Sequence, residues 1–536
     1  MRPFLALVAL AAGFLAGCAK HVSSVTDADR TQTLLLGNAA EPQDLDPQIV
    51  AAFTDQNICV ALFEGLTAFD ERTSAARPAV AERWESTADG LTWTFHLRPT
   101  ARWSDDTPLT ADDFVQAWHR MLAPALASEN AYLLYPLKNA EALNTGHLTD
   151  PAALGATALD AHTLRLTLEH PAPHLPILAA QPAWFPVPVR TLAKFGGAER
   201  RGTAWTQPGH LVGNGPFVLT AWQPNARLTV EKNPHYWDAA HVQLARIVFF
   251  PIENPAAEER AFRAGQLHVT AELPLSKVDA YRERDPAALR IDPLLETFFL
   301  RFNTARPPLD RAKVRQALAH AIDRDAIARS VLRGTRAPAT HYTPPDCAGY
   351  TTRAELTSDA NLARRLLSDA GFPGGRGFPI LEVQARNDEI HTKVAEAIQA
   401  MWQRELGITV KIAPMEQKTW LQNMMSQNYT ISTARWVADF PDPSTFLDAY
   451  VTGNGYNMTG WSDATYDRLI AEAGRDADPA HRYELYQTAE ARLLDAAPIA
   501  PVFFGARTYL INPAVRGWEP ATLGLHRYKN VSLAPQ

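Results

Sequence analysis

The segment Arg435-Trp436-Val437-Ala438-Asp439-Phe440-Pro441-Asp442-Pro443-Ser444-Thr445-Phe446 carries the residues of this chain best suited to chemistry. One carboxylate, Asp439, stands between Trp436 and Phe440 in a loop stiffened by Pro441 and Pro443. Such a loop offers a desolvated anionic pocket with aromatic faces, which suits an ammonium group. A buried carboxylate needs a partner, so a bound cation competes with the alternative of a loop acid that caps a turn. Asp442, followed by Pro443, fits a turn better than a ligand contact.

Catalytic patterns are missing from the sequence. There is no Gly-x-Ser-x-Gly elbow, no His-Glu-x-x-His, no Walker loop and no Gly-x-Gly-x-x-Gly. Carboxylates are plentiful, but no pair is singled out as a glycosidase acid and base. The 16 histidines are scattered without metal-ligand spacing. The 3 cysteines, Cys18, Cys59 and Cys347, make neither a disulfide framework nor a zinc cluster. A net charge of −7 argues against a nucleic-acid binder. These features give an enzyme no positive support, and they call for no metal or cofactor.

Residues 1–18 end in Leu15-Ala16-Gly17-Cys18. Arg2 precedes an apolar run, Phe4 to Leu15, that is too short to span a bilayer, so 1–17 reads as a secretory signal. Small residues directly before a cysteine resemble the bacterial lipobox, in which the thiol of Cys18 would be diacylated and become the new amino terminus. Two or more acyl chains make a stable anchor. The body is then expected outside the cytoplasmic membrane, in the periplasm or at the cell surface. It follows a polar tether, 18–31, without periodicity.

At 536 residues the chain exceeds one hydrophobic core and should form two or three lobes. Leu34-Leu35-Leu36 reads as a strand, and Leu91, Trp93, Phe95 and Leu97 alternate as in a half-buried one. Thr110 to Asp113 looks like a capped helix start, with Phe114, Ala117, Trp118 and Met121 at helical spacing. Leu164, Leu166 and Leu168 alternate again, and the proline-broken stretch 171–188 reads as a crossing between lobes. Further strands are expected at 228–230, 247–250 and 298–302. Asp310 is expected to cap a helix bearing Val314, Ala317, Leu318, Ala321 and Ile322. The clearest unit is a βαβ crossover: strand 380–385, a helix with Val394, Ile398, Met401 and Trp402, and strand 408–412. Asp478-Pro479 opens a last helix, with Tyr483, Tyr486, Ala489 and Leu493 inward.

A series of motifs runs through this framework. It begins with Glu41-Pro42-Gln43-Asp44-Leu45-Asp46-Pro47 and Leu62-Phe63-Glu64-Gly65-Leu66. Trp93-Thr94-Phe95-His96-Leu97-Arg98 and Trp103-Ser104-Asp105-Asp106-Thr107-Pro108 follow. Gly213-Asn214-Gly215-Pro216-Phe217, Asn233-Pro234-His235-Tyr236-Trp237-Asp238 and Val314-Arg315-Gln316-Ala317-Leu318 complete it. In this order the series resembles the oligopeptide- and dipeptide-binding proteins of bacterial ABC importers, over nearly the whole mature chain. The resemblance implies an α/β bilobal clamp with mixed sheets flanked by helices, closing on ligand by a hinge. Lobe I would be discontinuous (32–63, 188–290 and 505–536), with an inserted region at 64–187 and lobe II at 291–504. It also implies a monomer that takes short peptides and delivers them to ABC permease subunits.

Carried over residue by residue, the resemblance gives Asp439 the free α-amino group of the peptide and lets Trp436 line a side-chain pocket. His391, in Asn387-Asp388-Glu389-Ile390-His391, matches a histidine that receives the C-terminal carboxylate in the oligopeptide branch. The accompanying arginines do not carry over: Met424 and Thr433 stand in their places, while Arg435 replaces a glycine. Glu296 and Val437 occupy the positions of a disulfide found in some relatives. Backbone contacts to an extended peptide are expected around Gly65, Arg435 and Val437. Another amine-bearing solute (a murein peptide, haem or a metal chelate) is the alternative ligand, and an anchored hydrolase the more distant one.

Overall fold

A computed structural model describes residues 24–534; the signal sequence and Cys18 lie outside the described residues. The first described element departs from expectation. Ser24–Arg30 is a helix rather than part of a free tether, because Val25 and Ala28 pack against Leu35 and Val248. It is pinned by His268, whose Nε2 lies 3.1 Å from Asp29 Oδ1 while its Nδ1 accepts a 2.9 Å bond from the Leu35 amide.

Three sheets organise the rest. A four-stranded sheet sets Thr33–Gly37 parallel to Arg246–Phe250, then adds Arg227–Lys232 and Phe217–Gln223 antiparallel. A second sheet, ordered Ala81–Ser86, Thr92–Leu97, Thr163–Thr167, Ala156–Asp160, is antiparallel throughout. Helix Ala111–Leu122 begins with a reciprocal box between Thr110 and Asp113 and buries Phe114, Ala117, Trp118 and Met121 as the spacing predicts. These two sheets share one continuous apolar core. The proline-broken stretch is packed into it through Leu175, Leu178, Trp184 and Val187.

The third sheet is mixed and six-stranded. Its order is Ala337–Pro338, Ile499–Leu510, Leu289–Phe302, Ile431–Val437, Leu381–Arg386, Val410–Met415. The predicted crossover is there: Leu381–Arg386 and Val410–Met415 pair in parallel across helix Glu389–Leu406. Leu289–Phe302 and Ile499–Leu510 pair antiparallel almost end to end, from Leu289↔Leu510 to Arg301↔Ile499. Phe298 and Leu300 at one end belong to the core of this sheet, whereas Tyr509 joins the first core. The two long strands therefore tie the two halves of the molecule together.

Local expectations are corrected at one cap and in one helix. Helix Ala312–His320 starts after Arg311, which occupies the N-cap and is tied by Nη1 to the Ala370 carbonyl at 2.9 Å; Asp310 stays exposed and caps nothing. His391, which the sequence places directly before the helix of the βαβ unit, sits within its first turn, after Asp388 at the N-cap. Cys59 and Cys347 are both buried and free.

Candidate functional site

The site is built on the strand Ile431–Val437 and the loop that leaves it. Pairing against Leu289–Phe302 fixes the strand, with Glu296↔Val437 and Phe298↔Arg435 in register. Alternation along a strand sends successive side chains to opposite faces. Arg435 and Val437 are consequently exposed on one face, while Trp436 is half-buried on the other. The Arg435 guanidinium lies 3.8 Å from Glu296.

The loop carries Asp439 into a protein-walled recess. The Asp439 amide donates to Thr445 Oγ1 at 3.1 Å, and the Thr445 hydroxyl returns a 3.5 Å bond to the Asp439 carboxylate. Tyr132 also donates to that carboxylate, and Gln181 donates to the Asp439 carbonyl. Phe440 stacks on His174 with ring centroids 5.1 Å apart. Residues from the antiparallel half of the molecule thus close around the loop of the other half.

Asp439 faces a cleft of about 590 Å³, lined also by Trp436, Phe440, Tyr132, Tyr456 and Asp448. Tyr456 joins the two walls: its ring meets Trp436 edge-on at 5.2 Å and Tyr132 at 6.4 Å. Burial pushes the Asp439 carboxyl up to about 6, against the bonds from Tyr132 and Thr445 that favour its charged form. The carboxylate thus has aromatic faces beside it and, among the described residues, no ion pair.

Trp436 and Asp439 are brought together as the sequence suggests; the other predicted residues are placed apart from them. Arg435 and Val437 lie on the same strand but do not line the cleft. His391 is buried beneath the strand, its Nδ1 2.7 Å from Thr433 Oγ1 and its Nε2 without a hydrogen bond, 3.9 Å from Asp388. Burial pushes it below the usual histidine range, so it stands there neutral. Gly65 lines a second, smaller recess with Phe185 and Tyr236. Met424 and Thr433, standing where arginines were absent, are both buried. Among the described residues no group of three His, Cys, Asp or Glu could hold a metal ion, and no helix is long and apolar enough to cross a membrane.

Sequence reasoning missed Tyr132, Gln181, Asp448 and Arg482. The first two come from the antiparallel half, Gln181 lying 258 residues from Asp439, and no local pattern marks them. Asp448 and Arg482 had a signal in hand: a short helical turn after the loop places Asp448 one turn beyond Thr445, and buried Asp442 requires a cation.

Residues 75–458 match the model of the bacterial extracellular solute-binding proteins, family 5, middle region. The chain belongs to that family. It is 34% identical over 526 residues to the periplasmic oligopeptide-binding protein OppA of Salmonella typhimurium, covering 96% of this chain and 94% of that one. It is 36% identical over 495 residues to the probable deoxycholate-binding periplasmic protein YgiS of Escherichia coli, covering 91% and 90%. The structure of the Escherichia coli murein tripeptide binding protein MppA superposes with a TM-score of 0.80 at 33% identity, over 94% of this chain and 98% of that one. The fold of this chain is the bilobal architecture of the periplasmic binding proteins it superposes on.

Proposed function

We propose that this chain is the extracytoplasmic solute-binding component of an ABC importer and captures short peptides by their free α-ammonium group. The observation that carries this reading is the Asp439 carboxylate, lodged in a cleft walled by Trp436, Phe440 and Tyr132 with no protein cation against it. An α-ammonium supplies the missing charge, and beyond Ser432 the edge of strand Ile431–Val437 that Leu381–Arg386 flanks has no ladder partner among the described residues, which leaves backbone groups for an extended chain. Relatives named for oligopeptides and a murein tripeptide support the same ligand class. Lobe I (32–63, 188–290, 505–536) and the inserted region 64–187, which already meets lobe II (291–504) at Gln181 and His174, would open from it and close on it by bending at the two long paired strands.

The sequence at Cys18 supports a lipid anchor, and the chain is read as a monomer delivering to permease subunits. Cys18→Ala should remove label from a culture fed radioactive fatty acid; label that persists would exclude Cys18 as the acceptor. The ligand reading is tested by calorimetry with Ala-Ala-Ala and its N-acetylated form. Asp439→Asn should weaken the free peptide by about 2–5 kcal/mol, as for a truncated buried charge pair, and acetylation should do the same in the unaltered protein. Equal binding of both peptides would reject the α-ammonium site.

A further inference from the structure

The cleft is larger than an ammonium group needs. At about 590 Å³ it lies in the range of sites that enclose a whole small molecule. Its carboxylates and guanidiniums are unevenly placed. Glu169, Asp448 and Arg475 are exposed and belong to its solvent-facing edge. Of those set deeper, Arg482 is taken by Asp442 through two bonds of 2.7 Å, and Asp467 accepts the Thr452 amide at 2.9 Å. Away from Asp439 the inner wall is largely apolar. Leu133, Ala172 and Leu178 are buried there, and Trp436 and Phe440 are half-buried.

The aromatic part of this wall begins at Asp439 itself. The Tyr132 ring carries the hydroxyl that donates to the Asp439 carboxylate, and its centroid is 6.4 Å from that of Tyr456. Tyr456 in turn meets Trp436 edge-on at 5.2 Å. Three rings thus run in contact from the carboxylate, each pair within the span of about 4.5–7 Å at which aromatic rings attract. Phe440, the residue after Asp439, is held by its stack on His174, with the two planes only 3° apart. In an amino-terminal phenylalanine, two carbons separate the ring from the α-nitrogen. A nitrogen held at Asp439 therefore brings that ring against the same wall.

We infer that the cleft selects peptides whose first residue carries a large apolar side chain, aromatic above all. The inference rests on the α-ammonium reading of Asp439 and adds the side chain that the same cleft accepts. Burying an aromatic side chain removes about 150–250 Å² from water, and edge or offset contacts with neighbouring rings add to the gain. An alanine in the same place covers little of the wall. A lysine gives up water from its ammonium group unless the stem carries the charge back to the exposed edge.

Calorimetry on the full chain at pH 7.5 tests this with Phe-Ala-Ala, Ala-Ala-Ala, Ala-Phe-Ala and Lys-Ala-Ala. Phe-Ala-Ala should bind more tightly than Ala-Ala-Ala by about tenfold or more. Ala-Phe-Ala and Lys-Ala-Ala should each gain less than about threefold. Tyr456 is 43% exposed, so its removal leaves the core intact, and Tyr456→Ala should shrink the ratio of Phe-Ala-Ala to Ala-Ala-Ala by at least about threefold. Equal binding of Phe-Ala-Ala and Ala-Ala-Ala, with N-acetylation weakening both, would overturn the apolar subsite and leave the Asp439 reading standing. A gain for Ala-Phe-Ala or Lys-Ala-Ala as large as that for Phe-Ala-Ala would overturn it too, as would an unchanged ratio in Tyr456→Ala. N-acetyl-Phe-Ala-Ala binding as tightly as Phe-Ala-Ala would instead defeat the Asp439 reading, and this inference with it.

Discussion

Arg482 grips Asp442 with one nitrogen on each carboxylate oxygen, both at 2.7 Å, and both side chains are buried. The pair does more than fill space. Asp442 Oδ1 also accepts the Ser444 amide at 2.9 Å, which starts the helical turn carrying Thr445 and Asp448. The ion pair thus anchors the loop that presents Asp439 to the cleft, from a helix, Pro479–Ala496, on its far side.

Removing one partner leaves an uncompensated buried charge. Arg482→Met is expected to lower stability by about 3–5 kcal/mol, read from urea unfolding, and Asp442→Asn in the same chain should recover much of the loss. Burial alone would raise the Asp442 carboxyl; the charges of His174 and Arg482 and the bonds from Arg482 and Ser444 hold it down to about 2. A depressed carboxyl stabilises fully above its unfolded value of about 3.9, and that contribution disappears as pH falls through about 2. The single Arg482→Met variant should therefore lose less than the parent between pH 4 and pH 2. An Arg482→Met chain as stable as the parent at pH 7 would show that the pair does not hold the loop.

Asp439 gives the opposite sign. Its carboxyl, raised to about 6, holds a proton in the free protein at pH values where the unfolded chain has released it, so it destabilises the free protein progressively from about pH 4 to 6. A cationic ligand must displace that proton. Affinity for Ala-Ala-Ala should then rise by up to about tenfold per pH unit below 6 and level off above it, until the peptide amine itself deprotonates near 8. In Asp439→Asn the rise below 6 should be gone. A flat profile between pH 4.5 and 6.5 in the parent protein would mean that Asp439 is not the group engaged.

The legibility of this molecule follows the reach of its interactions. The βαβ unit was readable because Val383, Val394, Ile398, Trp402 and Val410 are buried by the elements that contain them, so the burial pattern is written locally. Trp436 and Asp439 could be paired on adjacency alone. The helix Ser24–Arg30 could not be seen, since its two buried apolar residues, Val25 and Ala28, are too few to declare a period. The tie from Gln181, the stack of His174 on Phe440 and the bond from Tyr132 depend on two distant stretches meeting, which no local spacing encodes.

Gly65 is fixed by close approach rather than by backbone conformation. A Cβ at this position would lie 2.3 Å from the Ala179 carbonyl oxygen and 3.1 Å from the Phe185 ring. The Gly65 carbonyl meanwhile accepts the Val80 amide at 3.2 Å, so this loop segment cannot simply move aside. Gly65→Ala should cost about 1–3 kcal/mol, the range for overpacking a filled site, measured by urea unfolding. A change below about 0.5 kcal/mol, the usual surface effect, would show that the 179–185 segment yields without resistance.

On the proposed reading, the far end of the peptide would lie near Met424, Thr433, His391 and Arg435. Met424 is buried and turned toward Arg301, whose Nη1 lies 3.5 Å from its sulfur, while Thr433 is occupied with His391 at 2.7 Å. His391 is itself buried and neutral, so it contributes no positive charge to a carboxylate. Arg435 is the remaining cation on the strand; it is 47% exposed and 3.8 Å from Glu296, which offsets its charge. A solvated, partly neutralised guanidinium binds a carboxylate weakly. Amidating the C-terminus of Ala-Ala-Ala is therefore expected to change affinity by less than about tenfold, read by calorimetry of the matched acid and amide. If the amide binds far more weakly than that, Arg435 swings from Glu296 to the ligand, and Arg435→Ala should then erase the difference between the two peptides.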